Sequence, residues 1–436
     1  MNNVERANSL TNDAVRLLGN AEPQDLPIEI LERAGELLED AFKALPDNPR
    51  SMYNVGNIRD ELSLARAGPF VSMEMYMRSL EFRVTPDVLL NIGRILSIQD
   101  CKYEYALSCF ERAVIQQGLY RGAYGMGVCM LMQACVTGEP DMWRRGWYWF
   151  EHRRGKAEIK GHPGLWRGDD LRGKRLLIVM ETGLGDQIWA LRWVKVAKDW
   201  GATTILICGP ETKRLLEEQS YVDEVHLEND AAPIEMDYIT HVMSMQTYMD
   251  PSSSDRAVAP YLEVGGKRIN AARTTLLKGK WRVGVAWRGS TTRGYPAWRN
   301  IRFELLCQFL PLDADIEYVS LQKDTQNQWL WPHMDHESIK LCNDLLDTAR
   351  LIHTLDLVVT IGSAMSMLAP ALGVPTWLLN THNSAWQFGP NNSPVNWFHL
   401  KNPIANPVLR FCQREQGDWT PAVWDLAQEL RKWRSV

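Results

Sequence analysis

Lys174-Arg-Leu-Leu-Ile-Val-Met-Glu-Thr-Gly-Leu-Gly-Asp-Gln-Ile188 decides the fold of this chain. The apolar run Leu176–Met180 reads as a buried strand. It breaks at Gly183-Leu184-Gly185, and Ile188, Leu191, Val194, Val196 and Ala197 then recur at helical spacing. A strand, a glycine turn and a helix start in succession expose backbone N–H groups that favour anions. Asp186 stands at the start of that helix. A carboxylate at a ligand-binding turn is a candidate general base, and its plain structural alternative is an N-cap.

Working outward, strands and helices alternate. Thr204–Cys208, Val225–Leu227 and Tyr238–Met243 read as further strands, so this first half predicts a parallel sheet. After Pro260-Tyr-Leu-Glu-Val and a basic stretch to Lys280, a second set begins. Arg282–Trp287 and Ile316–Leu321 are strands, Ala349–Leu355 a helix, Leu357–Ile361 a strand and Ser363–Leu372 a helix. Thr376–Asn380 reads as the last strand. Ligands of such sheets sit beyond the carboxyl ends of the strands, so the cleft between the halves is the expected site. Four strand ends converge there: Gly183–Asp186, Trp287–Ser290, Ser320–Lys323 and Ile361–Ala364. Glycine admits close backbone approach, Arg and Lys hold phosphates, and helix N-termini add partial positive charge.

Upstream the texture is helical and repetitive. Gly56, Gly93 and Gly127 each follow an apolar residue, with 34 residues from Gly93 to Gly127 and 37 from Gly56 to Gly93. A period of 34 is that of a tetratricopeptide helix pair. Ala106, Phe110 and Ala113 follow Gly93 at small, aromatic, small spacing, and a short insertion near Ala65–Phe70 accounts for the longer interval. The expectation is three to four degenerate repeats from about Asn12 to Cys135. They serve to hold a partner or a second subunit, or simply cap the next domain. Gly155 to Arg175 reads as a polar linker. The domains expected are residues 1–155 (helical repeats), 156–275 (first Rossmann-like half) and 276–436 (second).

With 436 residues the chain has ample core, and a net charge of −5 gives no general attraction to nucleic acid or anionic lipid. Met1-Asn-Asn-Val-Glu-Arg lacks the basic-then-apolar pattern of a secretory leader, and no run reaches the ~20 apolar residues of a membrane span. Eight scattered cysteines form no CxxC pair and no zinc-ligand spacing, so a reducing cytoplasm is expected. His353 reads as structural, and His333 and His336 lie in a polar loop without metal spacing. His382, after the Thr376–Asn380 strand, lies near the cleft. Arg293 and Arg299 with Tyr295 and Trp298 form a basic-aromatic loop suited to stacking a base, or simply solvated. A dehydrogenase is disfavoured because Ile188 stands where G-x-G-x-x-G needs its third glycine.

Seven short landmarks occur in order: Gly146-Trp-Tyr-Trp-Phe-Glu, Pro163-Gly-Leu-Trp-Arg-Gly, Glu181-Thr-Gly-Leu-Gly-Asp-Gln-Ile, Val283-Gly-Val-Ala-Trp-Arg-Gly, Val319-Ser-Leu-Gln-Lys, Leu346-Asp-Thr-Ala-Arg-Leu-Ile and Ala369-Pro-Ala-Leu-Gly-Val-Pro-Thr-Trp. With them, from about Tyr53 onward, the chain resembles bacterial proteins that join tetratricopeptide repeats to a GT-B glycosyltransferase module of the heptosyltransferase-like type, family 9. The resemblance implies an α/β fold, a GT-B-like pair of Rossmann-type domains preceded by an all-α repeat domain. It implies an inverting, metal-independent transferase with no cofactor beyond its nucleotide-sugar donor, and a glycan, protein or other polymer acceptor. Asp186 matches the family's catalytic carboxylate. Gly183 and Gly185 form the turn that carries Asp186, Trp287, Arg288, Gln322 and Lys323 fall at strand ends of the second half, and Arg293 follows in its loop, all as binding candidates. Asp347 and Thr348 match its nucleotide-side Asp-Thr, and Gly362-Ser363-Ala364 would meet the diphosphate. The family's Asp-Thr/Ser-Ala…His pattern is altered, with Gly362 at the Asp position and Met367 at the His position. Two other readings stand beside this one: an inactive, repeat-bearing interaction protein, and a transferase acting on modified DNA bases. A protein partner or a second copy on the repeats fits either.

Overall fold

A computed structural model describes residues 2–19, 26–66, 69–116, 118, 122–137, 139–153, 161–230, 233–249, 260–265, 280–289, 297–323, 331–382, 387–388 and 408–433. The described chain forms two compact units, one built from the helices up to His152 with Ala297 and Trp298, and the other from Arg153–Gly289 and the chain from Arg299 onward.

The first unit is all helical. Its helices are α1 (Asn3–Leu18), α2 (Ile28–Ala44), α3 (Pro49–Ala65), α4 (Met73–Phe82), α5 (Pro86–Ile98), α6 (Tyr103–Glu111), α7 (Ala123–Thr137) and α8 (Pro140–Phe150). Each packs on its successor. Local chemistry sets the starts. Pro49, Pro86 and Pro140 stand in the first turn, where no N–H is needed, and the Asn48 and Thr85 side chains accept the orphan N–H groups of α3 and α5. The periodic glycines are points of close approach. A Cβ at Gly56 would lie 2.6 Å from the Tyr76 ring, and one at Gly127 would lie 2.5 Å from the Phe150 backbone nitrogen. Beside the Tyr76 that packs on Gly56, buried Asp60 accepts hydrogen bonds from Ser72, from Tyr76 at 3.1 Å and from Arg94 at 3.3 Å.

The second unit holds two parallel sheets. The first consists of β1 (Arg175–Val179), β2 (Thr203–Cys208), β3 (Glu224–Leu227) and β4 (Tyr238–His241), in the order β3-β2-β1-β4. Helix α9 (Leu184–Asp199) connects β1 to β2, α10 (Pro210–Glu217) connects β2 to β3, and the short α11 (Met245–Tyr248) follows β4. The second sheet consists of β5 (Trp281–Ala286), β6 (Ile316–Ser320), β7 (Met334–Asp335), β8 (Leu357–Ile361), β9 (Thr376–Asn380) and β10 (Val408–Cys412), in the order β10-β9-β8-β5-β6-β7. Its helices are α12 (Phe303–Phe309), α13 (Leu345–His353), α14 (Ala364–Ala371) and α15 (Thr420–Trp433). Every strand pairing in both sheets is parallel. β8 and β9 are buried along their whole length, which is why they read as largely apolar runs without polar alternation. This is the pair of Rossmann-type α/β halves, preceded by a helical region, that the sequence implies.

Two expectations change. Thr376–Asn380 is not the last strand, because β10 pairs with it in register from Val408 on Thr376 to Cys412 on Asn380. Part of the stretch read as a linker belongs to the first sheet. Leu165 bridges Ile239, Trp166 donates its backbone N–H to Ile239 at 2.9 Å, and the Trp166 ring is fully buried.

Candidate functional site

The β1–α9 turn is built tightly. Thr182 has φ of 69°, a left-handed conformation that costs a branched residue energy and is a mark of functional turns. Gly183 is the N-cap of α9, so Asp186 is the third residue of the helix and not its N-cap. From there its carboxylate reaches back to the Gly183 N–H, the half of a capping box that an N3 acid supplies. Gln187 donates from Nε2 to the Thr182 carbonyl at 3.2 Å, while its buried Oε1 has no hydrogen-bond partner among the described residues. Behind the turn, buried Arg153 forms an ion pair with Glu181 and donates to the Ser244 hydroxyl at 2.9 Å.

The second half meets this turn at two places. At α14, a Cβ on Gly185 would lie 3.6 Å from both Ala364 Cα and Met367 Cγ. At the Gln387-Phe388 turn, Gln387 Nε2 donates to Asp186 Oδ1 at 2.6 Å. Enclosure by these neighbours opposes ionisation of Asp186 and pushes its pKa from 3.8 up to about 6. The Gln387 and Gly183 donors hold it down, the Glu181 charge raises it, and Arg153 partly offsets that charge. A carboxyl poised there accepts a proton at neutral pH.

The other sequence-derived positions fall into three groups. Arg288, half-buried at the end of β5, donates its backbone N–H to Gln322 Oε1 at 3.1 Å, which ties the β5 and β6 ends together. Lys323 stands exposed beside them. Gly289 donates to Asn300 Oδ1 at 2.9 Å and lies so close under the Arg299 guanidinium that a Cβ would sit 2.2 Å from it. Trp287 points the other way. Its indole is fully buried and stacked on Phe303 at 4.3 Å between ring centroids, so a ligand would meet only its backbone. Arg293 lies outside the described residues.

Asp347 and Thr348 are committed to α13 and to the first half. Arg214 of α10 pairs with Asp344 at 2.8 Å and with Asp347 at 3.4 Å, and Asp347 also accepts from the Asn343 N–H at 3.1 Å. Buried Thr348 donates to the Asp344 carbonyl at 2.9 Å. Arg350 on the same helix pairs back with Glu218. At the β8 end, Ser363 caps α14 reciprocally with Ser366, which occupies the Ser363 and Met365 N–H groups, and Ala364 faces Gly185. Gly362 is open: a Cβ there would meet only Phe388 Cε2, at 4.0 Å. Among the described residues no group of three His, Cys, Asp or Glu has the arrangement of a metal site. No described helix is long and apolar enough to cross a membrane. Gln387 and Glu181 were given no role from sequence, and Arg153, whose pair with Arg154 reads as a solvated helix face, is instead buried and paired with Glu181. Gln387 lies 201 residues from its partner, and no local spacing announces that pairing.

No family model matches the chain. Protein FlbA of Caulobacter vibrioides is 25% identical over 308 residues, covering 62% of this chain, and the chain spans 48% of that protein's length. Among solved structures, a glycosyl transferase family 9 protein from Veillonella parvula is similar over 61% of this chain and 92% of its own, with TM-score 0.38 and 13% identity. A Thermobaculum terrenum O-GlcNAc transferase is similar over 100% of this chain and 94% of its own, with TM-score 0.36 and 11% identity. The E. coli heptosyltransferase WaaC is similar over 60% of this chain and 98% of its own, with TM-score 0.33 and 13% identity.

Proposed function

We propose that the α/β unit is an inverting glycosyltransferase that moves a sugar from a nucleotide-sugar to a hydroxyl of a glycan, protein or other polymer. The observation that carries this reading is the Asp186 carboxylate. It sits at the carboxyl end of a central parallel strand, in a strained glycine turn, and is shifted to titrate near pH 6. In the proposed reaction Asp186 takes the acceptor's proton as the acceptor oxygen bonds to the anomeric carbon. The bond from that carbon to the donor phosphate breaks on the opposite face, and the nucleoside diphosphate leaves with the electron pair. Arg288 and Lys323, at the joined β5 and β6 ends, are the cations proposed to meet that diphosphate, together with Arg293, Gln322 and the backbone at Gly362–Ala364. Residues 276–436 would then be the donor domain and 156–275 the acceptor domain. Residues 1–155, read as tetratricopeptide-like repeats, would select the acceptor or hold a partner.

A thermal-shift panel of UDP-, GDP-, ADP- and dTDP-sugars, with and without EDTA, tests this reading. A donor at a hundred times its Kd stabilises the native state by about 2.7 kcal/mol through mass action. One nucleotide-sugar that stabilises the protein, and that is turned over by the wild type but not by Asp186→Asn, is the expected result. No stabilisation by any of them overturns it.

A further inference from the structure

We propose that Gln387 is a positioning residue for Asp186, a clamp carried by the second half that orients the carboxylate of the first. The catalytic meaning of this clamp rests on the reading of Asp186 as base, but the contact itself does not. Gln387 is buried at 5% exposure, a strong constraint on a side chain with four hydrogen-bonding positions. Its amide donates to Asp186 Oδ1 at 2.6 Å, and its own Oε1 is buried with no partner among the described residues. A buried amide left half-satisfied costs free energy. The fold holds it there by fixing the residue that follows. Arg410 on β10 donates to the Phe388 carbonyl at 2.7 Å, and a Cβ built on Gly362, just past β8, would lie 4.0 Å from the Phe388 ring. The clamp is therefore anchored to two strands of the second sheet and grips an acid of the first.

The contact compensates for what stands opposite the turn. Ala364 and Met367 of α14 approach Gly185, and neither side chain offers a hydrogen bond. Among the described groups acting on Asp186, Glu181 and Arg153 supply charge from its own half and Gln387 supplies a neutral donor from the other. A donor to the charged form favours that form. The basicity and direction of the carboxylate thus depend on the second half being seated against the first.

Aspartate-selective 13C labelling of the full chain, read as the difference from Asp186→Asn, follows this one carboxyl through a pH titration without any substrate. Gln387→Glu keeps the shape but replaces the donor with a second acid, and should raise the midpoint by more than ~1 pH unit through like-charge repulsion. Gln387→Ala should raise it by less, and it carries the test if the Glu variant does not melt cooperatively. A midpoint unmoved in both variants overturns the clamp, even if a nucleotide-sugar proves to be the donor. Midpoints that move while no nucleotide-sugar binds or turns over uphold the clamp and defeat the transferase reading.

Discussion

Replacing Asp186 by Asn should make the protein more stable at high pH and less so, by comparison, at low pH. In the unfolded chain the carboxyl ionises around 3.8, and in the folded chain around 6. Between those values the folded state keeps a proton that the unfolded state has lost, so stability falls as pH rises. The favourable side of the balance is complete below 3.8 and is lost as pH passes through 6. By linkage the cost of carrying this acid is about 3 kcal/mol at pH 8 and roughly half that at pH 5. Asparagine has the same shape, still accepts a hydrogen bond from Gln387, and does not titrate. The stability of Asp186→Asn relative to wild type should therefore increase by roughly 1–2 kcal/mol between pH 5 and pH 8. Urea denaturation at intervals of one pH unit measures it, because every other titrating group cancels in the difference. A difference that stays flat across that range would refute the argument that enclosure of this carboxyl sets its pKa.

The same shift sets the pH dependence of turnover. kcat/KM for the donor identified by the binding panel should climb with pH and level off above about 6, as Asp186 passes into its accepting form, and a limb near pH 4 would show an unperturbed acid. Arg350→Glu sets a second acid against Glu218 and should loosen the contact between the sheet halves, seen as a larger radius in solution scattering. Glu218→Arg combined with it should restore the compact value, the coupling expected of a true pair. In the helical unit, Gly127→Ala forces a methyl group toward the Phe150 backbone and should cost roughly 1–3 kcal/mol. Gly161→Ala, with no described atom within 4 Å of the new one, should leave the melting temperature unchanged.

Much of the architecture was legible in the residues because parallel sheets announce themselves. β8 and β9 are buried throughout and largely apolar, and their ends match the sequence reading residue for residue. β10 was hidden because Val408-Leu-Arg-Phe-Cys carries Arg410 in its middle, which reads as surface until the carbonyl of Phe388 is seen beside it. Trp287 misled in the other direction. An aromatic next to Arg288 at a strand end looks like a ligand contact, but its indole completes the packing of the second sheet. Asp186 was conspicuous because its chemistry is local: a glycine turn, a helix start and an acid within a few residues. Its regulators were not, since Gln387 and Arg153 reach it only after the chain has folded back on itself.

The strand orders have a consequence for how the protein is made. In each sheet the strand synthesised first, β1 or β5, ends up inside, with β1 between β2 and β4, and β5 between β6 and β8. A ribosome therefore releases the interior strand with both edges bare. One edge of β5 stays unsatisfied until Leu357–Ile361 has emerged, because no earlier segment takes that place. Unpaired edges of apolar strands are where nascent chains associate wrongly. The second sheet, whose first strand waits longest for its neighbour, is the part of this protein most exposed to misassembly during translation.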